Sequence, residues 1–197
     1  MKYNTVIFDM DGLLIDSEPL WKEAADELLS TYGFQLNKQQ YALTTGLRTK
    51  EFLEFWFTLF NIPLSEINTA EDRIVNEVIQ LVKRKGKVMS GVSYIFNFFN
   101  QLNFKIGLAT SSPLQLINVV VELTGIGPYL QATASASGLA YGKPHPEVYL
   151  NCAKALGVQP MQCLCFEDSF NGMIAVKAAK MKCIVVPVFE DYKKTIW

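Results

Sequence analysis

The sequence predicts an α/β protein in which a parallel β-sheet carries an inserted helical segment. Amphipathic helical patterns lie between most of its short apolar runs, and strands that alternate with helices form parallel sheets. One long interval after the first run contains helical patterns only. The five runs are rich in β-forming residues and lie at 3–8, 104–109, 130–134, 161–166 and 183–187.

Four helices are predicted around the later strands, at 92–102, 113–123, 147–156 and 170–180. Ser112 and Ser169 precede the second and the fourth of them. Serine is a frequent N-cap residue because its side chain accepts a hydrogen bond from the free backbone N–H groups of the first turn. Pro146 precedes the third helix, and proline is well tolerated at a helix start.

The interval 17–87 is predicted to be an all-helical domain, inserted into a core formed by residues 1–16 and 88–197. Its C-terminal basic run, 83–87, is interpreted as the end of a helix and not as a binding patch. Three apolar stripes with helical spacing support the prediction that this interval is helical. They are Leu20, Trp21, Ala24, Ala25, Leu28 and Leu29; Phe52, Phe55, Trp56, Leu59 and Phe60; and Ile74, Val75, Val78, Ile79 and Val82.

Composition disfavours several kinds of partner. A formal net charge of −1 provides no general attraction to nucleic acid or to an anionic membrane. The apolar run before Asp9 is too short for a signal peptide, and no stretch approaches the roughly 20 apolar residues of a membrane helix. None of the four cysteines forms a C-x-x-C pair, so buried reduced thiols are expected. We expect a cytoplasmic monomer that binds neither nucleic acid nor membrane.

Polar residues follow four of the predicted strands, where the apolar runs end. In open parallel sheets, ligands bind beyond the carboxyl ends of the strands. These side chains should therefore converge in one crevice. In chain order they are Asp9 and Asp11, Thr110 and Ser111, Lys143, and Glu167 and Asp168.

This set of side chains favours phosphoryl transfer. Carboxylates that lie close together repel one another unless a cation is bound between them. Because the available metal ligands here are all oxygen atoms, the set favours Mg²⁺ over zinc or copper. A phosphate dianion between Mg²⁺ and Lys143 would have its charge balanced, with Thr110 or Ser111 donating hydrogen bonds. Because monoester hydrolysis is very slow without a catalyst, a covalent route is favoured, in which one of Asp9 and Asp11 attacks and the other moves protons.

In these motifs the chain resembles the haloacid dehalogenase (HAD) superfamily, within its β-phosphoglucomutase-like subfamily. It is similar there to bacterial phosphatases of hexitol phosphates and 2-deoxyglucose 6-phosphate, through residues 11–21, 143–146 and 171–173. The matching motifs occur in the family's order. They are Asp9-x-Asp11-Gly12 with Asp16-Ser17-Glu18-Pro19, Thr110, Lys143-Pro144, and Glu167-Asp168-Ser169.

The resemblance implies a Rossmann-like sheet core with a helical cap domain, and a Mg²⁺-dependent phosphatase acting on a small sugar or sugar-alcohol phosphate through an aspartyl-phosphate. Asp9 would be the nucleophile and Asp11 the general acid/base. Arg48 in the cap would contact the distal part of the substrate. Mg²⁺ would be bound by Asp9, the backbone carbonyl of Asp11 and Asp168, and Glu167 would act through water or as an alternative ligand. The transferring phosphoryl group would be held by Thr110, Ser111 and Lys143.

Two alternatives remain at this stage. A phosphotransferase of the β-phosphoglucomutase kind is disfavoured because the mutase carries a histidine where this chain has Trp21. A non-catalytic phosphate-binding regulator is disfavoured by the intact set of acids. Family members usually continue for some tens of residues beyond the last predicted strand, whereas this sequence ends at Trp197, which would leave a sheet edge exposed if the loss is natural.

Overall fold

The protein's sheet has five parallel strands in the order β3-β2-β1-β4-β5. The computed structural model describes residues 3–44 and 46–187. The predicted α/β class is confirmed, and each strand begins or ends within two residues of its predicted position. The strands are β1 (Thr5–Phe8), β2 (Lys105–Thr110), β3 (Ala132–Ser135), β4 (Cys163–Glu167) and β5 (Lys182–Val185).

Strand β1 occupies the centre of the sheet, paired with β2 on one side and β4 on the other. All four of its residues are buried. Successive side chains of a strand point to opposite faces, and Val6 and Phe8 accordingly enter one hydrophobic cluster whereas Ile7 enters another. Apolar layers on both faces explain why β1 is a continuous apolar run.

Four helices cover the two faces of the sheet, and all four were predicted. Residues of α5 and α6 belong to the first cluster, and those of α7 and α8 belong to the second. Ser169 caps α8 as expected, since its side chain accepts a hydrogen bond from Gly172 N at 3.0 Å. The helices are α5 (Val92–Gln101), α6 (Leu114–Thr124), α7 (Glu147–Ala155) and α8 (Phe170–Ala178).

The N-cap predicted at Ser112 is wrong. Helix α6 begins at Leu114, with Pro113 at the N-cap position and no side-chain cap. The Ser112 hydroxyl instead donates a hydrogen bond to Asp11 Oδ2 at 2.7 Å. A charged acceptor forms a stronger hydrogen bond than a neutral one, and this explains why the serine faces the aspartate.

The predicted helical insertion is confirmed, with one addition and one correction. Helix α2 was not predicted; it is short, buries no side chain, and begins with a capping box between Asn37 and Gln40. In α3 the buried face is formed by Leu53, Trp56 and Phe57, so the predicted positions Phe55 and Leu59 are exposed. The helices are α1 (Glu18–Ser30), α2 (Lys38–Ala42), α3 (Thr49–Phe60) and α4 (Ile67–Lys85).

Helix α4 links the insertion to the sheet, because it packs against α1 and α3 and also against α6. Its last turn carries Lys83, Arg84 and Lys85 and is followed by Gly86. The basic run is therefore the end of a helix, as predicted. Within the described part of the chain, no helix is both long and apolar enough to cross a bilayer. The four cysteines are free; three are buried, and Cys183 is half-buried.

Candidate active site

A cavity of about 410 Å³ lies between the carboxyl edge of the sheet and the inserted helices. Its volume falls in the range usual for small-molecule sites. Asp9, Thr110 and Lys143 line it from the sheet side. The helical side contributes mainly apolar and aromatic surface, including Trp21, Tyr41, Leu47, Phe52 and Ile74. The cavity therefore has a densely charged end at the sheet and a mixed end at the insertion, where the charged residues Glu18, Lys22 and Arg48 lie among the apolar ones.

Three buried charged side chains lie together at the charged end, where two of them, Asp9 and Lys143, line the cavity. Lys143 Nζ donates hydrogen bonds to Asp9 Oδ1 at 2.6 Å and to Glu167 Oε1 at 2.7 Å. Their side chains are 3%, 7% and 0% exposed, respectively. Glu167 also accepts hydrogen bonds from the Tyr149 hydroxyl at 2.6 Å and, through Oε2, from the backbone N–H of Asp168 and of Ser169. Glu167 thus holds Lys143 against Asp9.

A third carboxylate, Asp168, completes a buried acidic cluster. One oxygen from each of Asp9, Glu167 and Asp168 lies within 4.8 Å of the others. Burial, together with the carboxylates of Asp9 and Glu167, raises the pKa of Asp168 well above its ordinary value. Burial also raises the pKa of Asp9 to about 7, against the opposing effect of Lys143. In the absence of a further cation, the surroundings of Asp9 and Asp168 therefore favour their protonated, uncharged forms.

The pKa values of Lys143 and Glu167 shift in directions that favour their charged forms. Burial alone would lower the pKa of Lys143, but the carboxylates of Asp9 and Glu167 outweigh it and hold the pKa above its ordinary value. Burial would likewise raise the pKa of Glu167, but Lys143 and the hydrogen bonds from Tyr149 and Ser169 lower it. These two side chains consequently form an ion pair in the protein interior.

Two glycines allow the backbone to approach these acids closely. Gly12 has a φ of +74°, in the region that favours glycine, and a Cβ at this position would overlap Asp168 Oδ2. At Gly172, in the first turn of α8, a Cβ would overlap the Glu167 carboxylate. Both positions therefore require the absence of a side chain.

Asp9 and Asp11 have different surroundings, although only one residue separates them. Asp11 Oδ1 accepts hydrogen bonds from Ser17 Oγ at 2.7 Å and Trp21 Nε1 at 3.0 Å. Its Oδ2 accepts them from Ser112 Oγ at 2.7 Å and Thr110 Oγ1 at 3.2 Å. Strand β1 ends before the pair, so the two side chains need not share the orientation that a continued strand would impose.

Ser111 also lines the cavity, and its buried Oγ has no hydrogen-bond partner among the described residues. A buried polar atom of this kind carries a desolvation penalty unless something else bonds to it. The Ser111 hydroxyl is therefore available to bond a ligand in the cavity. Thr110, by contrast, is already bonded to Asp11.

Arg48 lines the cavity at the start of α3, and it contacts the sheet domain directly. Its Nη1 donates hydrogen bonds to the backbone carbonyls of Leu139 at 2.6 Å and Ala136 at 3.1 Å. Its Nη2 pairs with Glu51 at 2.7 Å. The guanidinium therefore connects the insertion to the loop after β3, a role that the sequence did not predict.

Several further contacts in the site were not predicted. Tyr149 lies inside α7, where the sequence indicates only an ordinary apolar helix position, yet its hydroxyl donates a hydrogen bond to Glu167. Ser17 and Trp21 also bond to Asp11, from 6 and 10 residues further along the chain, and Ser112 does so from 101 residues away. The Asp16-Ser17 motif was the one local signal that could have drawn attention to Ser17.

Comparison with known proteins identifies the family. A model of the haloacid dehalogenase-like hydrolase family matches residues 3–180. The chain is 40% identical to hexitol phosphatase B of Escherichia coli (strain K12) over 187 residues, which covers 93% of this chain and 83% of that protein. It is 28% identical to fructose-1-phosphate phosphatase YqaB of the same strain, over 94% of this chain and 97% of that protein.

Among solved structures, the chain is similar to β-phosphoglucomutase from Clostridium difficile, with a TM-score of 0.86 and 27% identity over 98% of this chain and 88% of that chain. The fold, the buried acids and these relatives define a hydrolase of the α/β class. The chain belongs to the haloacid dehalogenase-like hydrolases. The expected enzyme class, phosphoric monoester hydrolase, is confirmed by relatives that are named as phosphatases.

Proposed function

We propose that this protein is a Mg²⁺-dependent phosphatase that hydrolyses a small sugar or sugar-alcohol phosphate, of the hexitol or 2-deoxyhexose 6-phosphate type, through an aspartyl-phosphate. The observation that carries the proposal is the ion pair between buried Asp9 and Lys143 at the charged end of the cavity. Hexitol phosphatase B, at 40% identity, supports the substrate class.

The acidic cluster suits Mg²⁺ as its cofactor. Asp9, Glu167 and Asp168 bring three carboxylates against the one ammonium of Lys143, so a divalent cation would neutralise the remainder. All donors are oxygens, as Mg²⁺ prefers. Asp9, Asp168 and the backbone carbonyl of Asp11 would bind the ion. Glu167 would act through water or as an alternative ligand, since both of its oxygens already accept hydrogen bonds. Bound Mg²⁺ would stabilise negative charge on the transferring phosphoryl group.

The first chemical step falls to Asp9. Its carboxylate attacks phosphorus, a bond forms between the carboxylate oxygen and phosphorus, and the bond from phosphorus to the sugar oxygen breaks. Asp11 gives its proton to the departing oxygen, so the sugar leaves as a neutral alcohol. Lys143, 2.6 Å from Asp9, pairs with the phosphoryl oxygens, and Ser111 and Thr110 donate hydrogen bonds to them.

Water completes the cycle in the second step. The Asp11 carboxylate removes a proton from water, whose oxygen attacks phosphorus and releases Asp9 and inorganic phosphate. Asp11 is thereby protonated again, with a proton from water in place of the one that left with the sugar. The separate surroundings of Asp9 and Asp11 suit this division of roles, since one is paired with an ammonium and the other with neutral donors.

Residues 17–87 are assigned to a cap domain, and residues 1–16 and 88–197 to the catalytic core. The cap would exclude water from the cavity, and Arg48 would contact the end of the substrate away from the phosphate. Its position on the cavity wall agrees with that role. A cytoplasmic monomer without nucleic-acid or membrane partners completes the proposal.

A set of phosphate esters tests the proposed function. Wild-type protein should release inorganic phosphate from D-glucitol 6-phosphate or 2-deoxyglucose 6-phosphate when Mg²⁺ is present, and lose that activity when the ion is chelated. Absence of release from all hexose, deoxyhexose and hexitol phosphates would contradict the proposal. Isomerised sugar phosphate with little free phosphate, formed only with a bisphosphate primer, would indicate a mutase instead, the activity of one structural neighbour.

A further inference from the structure

Asp11 is bound by four side-chain donors, and one of them differs in kind from the others. Ser17, Thr110 and Ser112 donate through hydroxyl groups, which can rotate and accept a hydrogen bond instead. Trp21 donates through the indole N–H, 3.0 Å from Asp11 Oδ1, and an indole nitrogen cannot accept. Only the Trp21 contact therefore keeps its direction when Asp11 changes protonation state.

This difference distinguishes the two oxygens of Asp11. A carboxylic acid has one carbonyl oxygen, which is the better acceptor, and one hydroxyl oxygen, which donates. Since the Trp21 N–H always requires an acceptor, Oδ1 is favoured as the carbonyl oxygen. The proton then resides on Oδ2, where Ser112 and Thr110 can rotate to accept it.

We propose that Trp21 is a positioning residue for proton transfer: its indole N–H orients the Asp11 carboxyl group so that Oδ2 passes the proton to the leaving oxygen. The inference rests on the proposed role of Asp11 as general acid. In that step the Oδ2–H bond breaks, a new O–H bond forms on the sugar oxygen, and the Asp9–phosphorus bond replaces the phosphorus–sugar bond. Trp21 itself neither gains nor loses a proton.

The location of Trp21 gives the contact a second consequence. Trp21 lies in the first turns of α1, where the insertion begins, and its ring lines the cavity. Ser17, the other donor to Oδ1, lies directly before the same helix. The orientation of Asp11 is thus linked to the position of the insertion, while Ser112 and Thr110 hold the other oxygen from the sheet side.

The dependence of rate on the leaving group tests this role. A sugar alkoxide needs a proton in order to leave, whereas 4-nitrophenolate is a good leaving group without one. Trp21→Phe removes the N–H and keeps an aromatic ring in the cavity. We expect kcat/KM for D-glucitol 6-phosphate to fall about 10-fold to 100-fold, and kcat/KM for 4-nitrophenyl phosphate to change by less than about threefold.

Three further variants complete the experiment. Trp56→Phe is the control: it makes the same chemical change on α3, where the indole N–H donates to Thr44 Oγ1 at 3.3 Å and not to Asp11. In this variant the ratio of the two kcat/KM values should stay at the wild-type value. Ser17→Ala, which removes the other donor to Oδ1, should shift the ratio in the same direction as Trp21→Phe. Asp11→Asn should shift it furthest. The ratio is independent of the folded fraction, so loss of stability alone does not change it.

The outcomes separate this inference from the proposed function. If Trp21→Phe leaves the ratio unchanged while Asp11→Asn shifts it, the positioning role is overturned and Asp11 keeps its role as general acid. If neither variant shifts the ratio, both the positioning role and the assigned role of Asp11 are overturned. A wild-type protein that releases phosphate from none of the hexose, deoxyhexose and hexitol phosphates overturns the proposed function together with the inference.

Discussion

Lys143 Nζ lies 2.6 Å from Asp9 Oδ1 and 2.7 Å from Glu167 Oε1, so one ammonium group neutralises parts of two buried carboxylates. The three residues come from separate segments: the end of β1, the loop after β3 and the end of β4. Glu167 is itself held by Tyr149 at 2.6 Å. The position of the ammonium beside Asp9 thus depends also on Tyr149, which packs in the second hydrophobic cluster.

Replacing Lys143 with methionine should destabilise the protein strongly. The change leaves Asp9 and Glu167 buried without their cationic partner, and breaking a buried ion pair from one side costs about 3–5 kcal/mol. The double variant Lys143→Met/Glu167→Gln should recover part of this loss, because it removes one of the two unpaired charges. Urea unfolding of the metal-free proteins measures both effects, and a loss below about 1 kcal/mol for Lys143→Met would show that the pair is not important for stability.

Adding a methyl group at Gly12 should weaken Mg²⁺ binding. A Cβ there would overlap Asp168 Oδ2 and displace a proposed ligand. Gly33→Ala is a matched control, since Gly33 has a similar φ, +80° against +74°, but nothing lies within 4 Å of its Cβ position. Both variants should lose about 1–2 kcal/mol of stability from backbone strain. Calorimetric titration should show weaker Mg²⁺ binding for Gly12→Ala only; equal affinities would argue against Asp168 as a ligand.

The stability of the metal-free protein should fall as the pH rises from about 4 to about 7. Burial raises the pKa of Asp9 from 3.8 to about 7 and that of Asp168 well above 3.8. In this window the folded state therefore binds more protons than the unfolded state, and the free energy of unfolding decreases with increasing pH. The stabilisation from these protonated acids is complete below the unfolded pKa and is lost above the folded one.

Mg²⁺ should reverse this loss, because the ion favours the ionised carboxylates. The increase in melting temperature on adding Mg²⁺ should be larger at about pH 8 than at about pH 5, where protons compete with the ion. Asp168→Asn serves as the control and should show a small increase at both pH values. An equal increase in wild type at the two pH values would contradict binding at the acidic cluster.

Much of the fold was predictable from local pattern. Each strand overlaps a short run of β-forming residues. The residues directly after β1, β2 and β4 reach one cavity because parallel strands place their carboxyl ends at one edge. The boundaries were less accurate. Met161, for example, resembles strand sequence, but it is exposed and belongs to a short helical turn before β4.

The contacts between distant segments were not predictable in the same way. Ser112 looked like an N-cap because it precedes a helix, and only the folded chain brings Asp11, 101 residues away, within hydrogen-bond distance. Arg48 looked like a substrate contact, and nothing local indicated that it would also bond to backbone carbonyls of residues 136–140. Side-chain pairing across the fold depends on packing that no local pattern in the sequence specifies.

Phosphate release by Asp9→Asn is the measurement that tests the central claim most directly. Asparagine keeps the size of the side chain but cannot attack phosphorus as a carboxylate does. With D-glucitol 6-phosphate and Mg²⁺, and with a melting temperature showing that the variant is folded, turnover should be at least about a thousandfold below wild type. Release within about tenfold of the wild-type rate would contradict Asp9 as the nucleophile.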